Sequence, residues 1–514
     1  MQSISLLNSV IGPVMRGPSS SHTAGPFQIA ATIRQLTAAA GAIRSIDVTF
    51  DPSGSFAPTY AQQSTDEGFA AGFLGLSITD DAFRGALGRL EAGDPFGLQF
   101  QTARLIPNDH PNRVQIDVHL QALDGRTRTE VFGAISTGGG MFVIDRLGDA
   151  EIEVRGTEYV VIVDGDIAAT ERHMAQAGFD WPAAQHKSAS LAQWGFAAEP
   201  SGRQLSELAQ LGAVTRVRTA APAQFCIAST TVLLESSTVF SEDETVDLAV
   251  AALDIEGTRL GLTPKRTREA FGERRRIMLD SVARGLSGQA RKDDLRFLSA
   301  SAARVRAFTL PTAIGGGFLK EAIAGALAVM EEDSNRGVVV AAPTAGSAGI
   351  VPGILFALAE TGAGDDELTD CLQVMALVGG VFAVRGSFAA ETGGCSVETG
   401  ASAAMAAGGL TYAMGGNSRQ VFQAASLCLM NTMGLVCDPV EGVVEIPCHA
   451  RNVAGVAHAQ SAAIAVLAGF EAVLPFDELV QTTVEVGKLM HPDLRCTARA
   501  GCATCSIPTI SVRI

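Results

Sequence analysis

Three cysteines in the C-terminal half stand in contexts that could do chemistry: Gly393-Gly394-Cys395-Ser396, Val436-Cys437-Asp438-Pro439-Val440 and Ile446-Pro447-Cys448-His449-Ala450-Arg451-Asn452. Three thiolates without a matching fourth suit an iron-sulfur cluster with one iron left open, and an open iron is a Lewis acid rather than an electron carrier. Chemistry of that kind belongs to a lyase. Two rival readings stand beside it. Free cysteine is among the most buried residue types, and Cys226, Cys371 and Cys428 are expected as plain core filler. Zinc is the other metal, with His449 beside Cys448 as a fourth ligand, although adjacent residues rarely ligate one tetrahedral ion. Spacing alone leaves cluster, zinc and core evenly matched.

A second constellation lies near the start. Gly17-Pro18-Ser19-Ser20-Ser21-His22-Thr23-Ala24-Gly25-Pro26 places four hydroxyls and an imidazole immediately before a helix signal. Unpaired N–H groups and the helix dipole both favour negative charge there, so the segment reads as a cradle for a carboxylate or phosphate. The plainer alternative is an N-cap, but a cap needs one hydroxyl. A late group, Cys496, Cys502 and Cys505, contains a Cys-x-x-Cys pair and could cap an open iron, form a redox pair or sit on a frayed tail.

The elements that must position these groups fall into blocks. The 514-residue chain is long enough for about three domains. Helical spacing begins near Pro26, and strand-like alternation runs over 44–50 and 114–120. Gly138-Gly139-Gly140 marks a sharp turn. Residues 1–150 are therefore expected to form an α+β domain. Over 151–219 the pattern reads strand-helix-strand-strand-helix-strand, a small α+β module. Residues 220–228 read as a linker, and 229–514 as an all-α domain rich in alanine and glycine.

Composition excludes several classes. Formal net charge is −16, which opposes non-specific binding to nucleic acid or anionic membranes. Nine cysteines, odd in number and unevenly placed, do not read as a disulfide framework. The uncharged stretch Val338 to Ala359 is as long as the roughly 20 apolar residues that span a bilayer. Its Pro343, Pro352 and glycines read better as a loop flanked by buried helices. No signal-peptide pattern opens the sequence. A cytoplasmic protein with no nucleic-acid or membrane partner is expected.

The motifs together resemble the iron-sulfur-dependent L-serine dehydratases, with the family's β chain first and its α chain second. Gly17 to Gly25 matches the β-chain Gly-Pro-Ser-Ser-Ser-His-Thr motif. Ser55-Phe-Ala-Pro-Thr-Tyr, Thr65-Asp66, His110-Pro-Asn and Gly138 to Gly140 follow in the family's order. Pro343-Thr-Ala-Gly-Ser-Ala-Gly-Ile-Val-Pro, Gly394-Cys395, Gly434-Leu-Val-Cys437-Asp-Pro-Val and Pro447-Cys448 through Arg451-Asn452 match the α chain. The resemblance implies a [4Fe-4S] cluster held by Cys395, Cys437 and Cys448, an ACT-like regulatory module in the middle, and a homodimer. It implies an α,β-elimination in which the open iron activates the substrate hydroxyl and a base removes the Cα proton. Water leaves, and the enamine goes on to a 2-keto acid and ammonia. The amino-acid substrate would meet Ser19, Ser20, Ser21, Thr23, Thr344, Gly346, Ser347, Arg385, Arg451 and Asn452. His22, His110, Gln63 and Asp66 would carry the catalytic positions.

Departures from the family pattern bear on function. Where the β chain reads Lys-Gly-His-Gly-Thr-Asp, this sequence has Ala61-Gln62-Gln63-Ser64-Thr65-Asp66, so Gln63 replaces the expected histidine. A carboxamide has no useful basicity, which leaves His22 and His110 as candidate bases unless Gln63 merely fills the space and hydrogen-bonds a neighbour. Arg385, Glu391 and Thr392 stand where small or amide residues are usual, and Cys496 and Cys502 alter the late Arg-Glu-Thr and Gly-Gly segments. The turn expected after the first strand of the small module is Asp164-Gly165-Asp166-Ile167, which speaks against effector binding. Three functions follow: an L-serine dehydratase, a related lyase with a shifted polar substrate, or a catalytically silent iron-sulfur sensor.

Overall fold

The computed structural model describes residues 4–122, 125–229, 236–288, 295–311 and 316–507. The N-terminal part is built on a six-stranded sheet. In spatial order its strands are Gly97–Thr102, Ala42–Phe50, Arg113–Gln121, Thr127–Gly138, Met141–Leu147 and Ala150–Val154. Only the first pair is parallel. In Arg113–Gln121 every second residue, Val114 through Leu120, is buried against the helices on one face, which is how period-two alternation folds into a half-buried strand. The helix Gly25–Thr37 covers that sheet, with Pro26 at its first turn where a missing N–H costs nothing.

A second, four-stranded antiparallel sheet follows, in the order Val214–Ala220, Tyr159–Gly165, Leu191–Phe196, His186–Lys187. The helices Ile167–Ala177 and Gly202–Gln210 connect its strands. Val161, Val163, Ile167, Met174, Trp194 and Leu208 form its own small core. Mixed α/β structure therefore occupies the N-terminal part.

The remainder is mostly helical. Thr399–Ala413 is buried along nearly its whole length and is surrounded by Asp365–Arg385, Ser418–Thr432 and Cys448–Leu467. A helix with no polar face must be enclosed, and its Ala, Gly and Ser side chains let the neighbours approach closely. Asp365–Arg385 is long and apolar enough to cross a membrane by length and composition, and 78% of its most apolar window is buried within the fold.

Two observations revise the expected blocks. The helical part is not purely α, because Val338–Val340 pairs antiparallel with Val14–Arg16. The stretch from Val338 to Ala359 has the expected turn, at Ala345–Ser347, and a buried helix after it, Ile350–Glu360, but opens with a strand. The N-terminal residues also penetrate the helical core, where Leu6, Leu7, Val10 and Ile11 pack with Leu372, Met375 and Phe382. The helix Leu6–Ser9 is held there by buried Glu256, which accepts Leu6 N at 2.8 Å and Leu7 N at 3.0 Å.

Close helix packing makes a specific demand at Gly285. It lies in Pro264–Leu286 against the Ala328 carbonyl of Gly317–Ser334, and a Cβ there would collide with that backbone oxygen. Gly285→Ala should therefore destabilise the protein by about 1 to 3 kcal/mol, despite alanine's better helix propensity. A denaturant midpoint at or above wild type would contradict this packing.

Candidate active site

The turn Ser20–Ala24 is a single π-helical turn running directly into Gly25–Thr37. Ser19 caps it: its hydroxyl accepts His22 N at 3.1 Å, and its own N–H donates to Thr23 Oγ1 at 3.2 Å. Thr23 Oγ1 in turn donates to Gln63 O at 2.8 Å. The backbone N–H groups of Ser20 and Ser21 have no acceptor among the described residues, and both residues line a small enclosed cavity.

His22 lies just behind that cavity, fully buried. Its Nδ1 meets Ser21 Oγ at 2.8 Å and its Nε2 meets Ser55 Oγ at 3.1 Å, while Ser55 donates to Asn112. Ser21 Oγ also donates to Glu391 Oε1 at 2.9 Å, and that oxygen is 3.6 Å from His22 Nδ1. Burial lowers the His22 pKa from its ordinary value, against the opposing pull of Glu391. Glu391 stays on the ionised side of its ordinary value: burial opposes the charge, but His22 and the hydrogen bonds around the carboxylate outweigh it.

The cavity's other wall comes from the helical part. Gly394 places Cys395 in a tight turn at φ +66°, a backbone conformation that an L side chain would strain. Cys437 follows the helix Ser418–Thr432, and Cys448 opens the helix Cys448–Leu467. Cys437, Cys448, Glu391 and Glu398 line the cavity together with Ser19, Ser20 and Ser21. The ligating atoms of Cys395, Glu398 and Cys437 lie within 4.8 Å of one another. Burial and the nearby Cys395 push the Glu398 carboxyl well above its ordinary range.

Arg451 donates to Cys395 Sγ at 3.1 Å and to Asp438 Oδ1 at 2.6 Å. Hydrogen bonding from the Cys437 thiol, with Arg451 as a further cause, brings the Cys395 thiol down to about 7. Cys437 is pushed up by its bonds to Cys395 and Cys496, and Cys448 by burial. Buried, soft sulfur donors beside a guanidinium form a donor set for a thiophilic metal, not for magnesium or calcium. Cys496 belongs to the same cavity: its N–H donates to Cys437 O at 2.8 Å, and Cys437 N donates to Leu494 O at 2.8 Å.

The residues singled out from the sequence are placed as follows. Ser19, Ser20, Ser21, Gln63, Gly346, Cys437 and Cys448 line the cavity, with Cys395 against them. Gln63 donates its amide to Gly442 O at 3.0 Å and so ties the sheet part to the loop between Cys437 and Cys448. Thr344 and Ser347 bond to each other at 3.1 Å beneath Gly346. Asn452 bridges Gly346 O at 2.8 Å and Cys448 O at 2.9 Å. His110 is set back, its Nδ1 accepting Asn112 N at 3.1 Å. Asp66, whose pKa burial raises to about 6, caps Glu67 N and does not line the cavity. Arg385 lies apart, 3.7 Å from Asp477. Glu398 was missed, although it is a lone charge in an otherwise uncharged run from Thr392 to Met414.

Residues 174–503 match the serine dehydratase alpha chain family. An L-serine dehydratase alpha chain from Peptoniphilus asaccharolyticus is 41% identical over 191 residues, 37% of this chain and 65% of that protein. A probable L-serine dehydratase alpha chain from Bacillus subtilis is 34% identical over 229 residues, 44% of this chain and 76% of that one. An L-serine dehydratase from Streptomyces coelicolor is 33% identical over 263 residues, 50% of this chain and 57% of that one. The match thus spans slightly less than two thirds of the first of these relatives and more of the second. The chain belongs to the serine dehydratase alpha chain family, a family of enzymes.

Asp438 joins the site to the C-terminal segment, since its Oδ2 accepts Cys502 N at 2.6 Å while Oδ1 pairs with Arg451. Asp438→Ala should leave a largely buried guanidinium without its carboxylate, costing about 3 kcal/mol, and should loosen the segment around Cys502. Thermal melting together with limited proteolysis checks both effects; an unchanged cleavage pattern would show that the segment is held by other contacts.

Proposed function

We propose that the protein is an iron-sulfur-dependent lyase that converts a β-hydroxy or otherwise β-substituted α-amino acid to a 2-keto acid and ammonia, with L-serine as the reference substrate. The observation that carries this reading is the meeting, in one enclosed cavity, of the hydroxyl-rich turn Ser19–Thr23 with the cysteines of the family. Cys395, Cys437 and Cys448 would hold a [4Fe-4S] cluster, and a thiol set with Cys395 and Cys437 buried, Cys448 half-buried and Arg451 at Cys395 Sγ fits that group. When bound, such a cluster supplies Lewis acidity toward the leaving group at Cβ.

The chain's own residues do the rest. Ser20 and Ser21 offer free N–H groups, and Ser20 its hydroxyl, to the substrate carboxylate, and stabilise the charge that grows there as the Cα proton is lost. Ser21 Oγ, with His22 Nδ1 2.8 Å behind it, passes that proton to the imidazole, and Glu391 stabilises the imidazolium that results. The imidazolium of His22 then returns the proton through Ser21 to the departing Cβ hydroxide, which leaves as water, and His22 is neutral again. The 2-aminoacrylate product tautomerises to an imine, and a second water hydrolyses it to the keto acid and ammonia. Gln63, committed to Gly442, holds the two walls in register.

Gln63 in place of the expected histidine and Glu391 inside the cavity favour a substrate shifted from L-serine toward a more polar relative. The reading includes three further parts: the division at 150, 219 and 228, a degenerate ACT-like role for the four-stranded module, and a cytoplasmic homodimer. A panel of β-substituted amino acids assayed for keto acid, with anaerobically purified protein, tests the activity. At least one should be a better substrate than L-serine. No keto acid from any of them, with the cluster intact, would sink the lyase reading in favour of a sensor.

Two expectations accompany it. Cys395→Ser, Cys437→Ser and Cys448→Ser should each remove the broad thiolate-to-iron absorption near ~400 nm along with iron and sulfide. One equivalent of zinc without iron in anaerobic wild-type protein would contradict the ligand set. The reaction needs neutral His22, and burial lowers its pKa, so activity should hold below pH 6.5 and fall only as pH drops through that depressed value. An acid limb in kcat above 6.5, abolished in a His22→Gln variant of residual activity, would reverse the sign.

A further inference from the structure

Glu391 carries two oxygens with different surroundings. Oε1 accepts Ser21 Oγ at 2.9 Å and faces His22. Oε2 is buried and has no hydrogen-bond partner among the described residues. Asn112 lies close enough to favour the carboxylate's charge, and one of its two amide N–H groups is used on Ser136 O at 3.2 Å. A buried carboxylate oxygen without a donor is rare in native structures, and it marks a place where something outside the chain completes the bonding.

Among the described residues that line the cavity none is lysine or arginine, and Arg451 is divided between Asp438 and Cys395 Sγ. The opposite wall is different in character, with the free N–H groups of Ser20 and Ser21 suited to an anion. A ligand that satisfies both walls must carry a carboxylate at one end and a cationic donor near it. An α-amino acid is the smallest molecule that does so, and its carboxylate and ammonium are attached to the same carbon.

Building on the lyase reading above, we propose that Glu391 Oε2 binds the α-ammonium group of the substrate, and that this contact selects α-amino acids over their 2-hydroxy counterparts. With the carboxylate on Ser20 and Ser21 and the ammonium on Glu391, two of the four substituents of Cα are fixed. The third, Cβ, is then directed to the cysteine wall, and the Cα–H bond toward Ser21. Glu391 is thus a substrate-binding residue through Oε2 as well as the partner of His22 through Oε1.

The test compares ligands that differ only in this group. Full-length protein, purified anaerobically with its metal, is titrated calorimetrically with L-alanine and with L-lactate, neither of which has a β leaving group. Wild type should bind L-alanine about tenfold tighter or better, the discrimination of one charge-assisted hydrogen bond. Glu391→Gln should lose about that factor for L-alanine while L-lactate changes by less than about threefold. Glu391→Ala, checked for fold by circular dichroism, should behave alike and decides the matter if the glutamine variant is misfolded. Equal losses for both ligands, no loss for either, or no preference in wild type would overturn the assignment. Keto-acid release separates the two readings. Selective binding without any turnover removes the lyase and leaves Glu391 in its role. Unaltered KM in a Glu391→Gln enzyme that still forms keto acid does the reverse.

Discussion

A hydrogen bond between residues 370 positions apart ties the two walls of this site together: Ser21 Oγ on Glu391 Oε1 at 2.9 Å, in a partly buried interface. Ser21 belongs to the sheet part and Glu391 to the helical part, so the cavity exists only where the two surfaces meet. The contact is not isolated. Thr23 holds Gln63, Gln63 holds Gly442, and Ser136 Oγ donates to Ser21 O at 2.7 Å, so the turn is fixed from three sides. In a low-dielectric interior each of these bonds is expensive to break, because the released partner has no water to turn to.

The helical part meets the same constraint with different means. Polar groups are sparse there, and the thiols, Glu398 and Glu391 are set among alanines and glycines whose small volume brings helices together. Among the described residues Arg451 is the cation that bonds to these thiols, and it is shared between a sulfur and a carboxylate. Such sharing keeps a guanidinium buried without leaving any of the three partners with a whole uncompensated charge.

Much of the architecture was legible because local patterns suffice for it. The helix after Pro26, the alternating strands at 42–50 and 113–121 and the element order of the small module each follow from periodicity over ten residues or so. The strand Val338–Val340 was read within a loop, because three residues carry no pattern and its partner, Val14–Arg16, is more than 300 positions away. The cavity shows the same division. The cysteine contexts and the serine-rich turn stood out by composition. Glu391 was visible as an anomaly whose consequence depended on Ser21, and Cys496 as a thiol whose place depended on pairing with Cys437. Asp66 and Arg385 share motifs with site residues, yet helix geometry carries them to other faces.

The pairing of Leu494 and Cys496 with the backbone of Cys437 has a consequence for how the protein is made. Residues 494–496 emerge from the ribosome after every one of the three family cysteines. During that interval Cys437 lacks the backbone partners that Leu494 and Cys496 supply. The wall of the cavity at Cys437 is therefore completed only by residues translated after the cysteines that it covers.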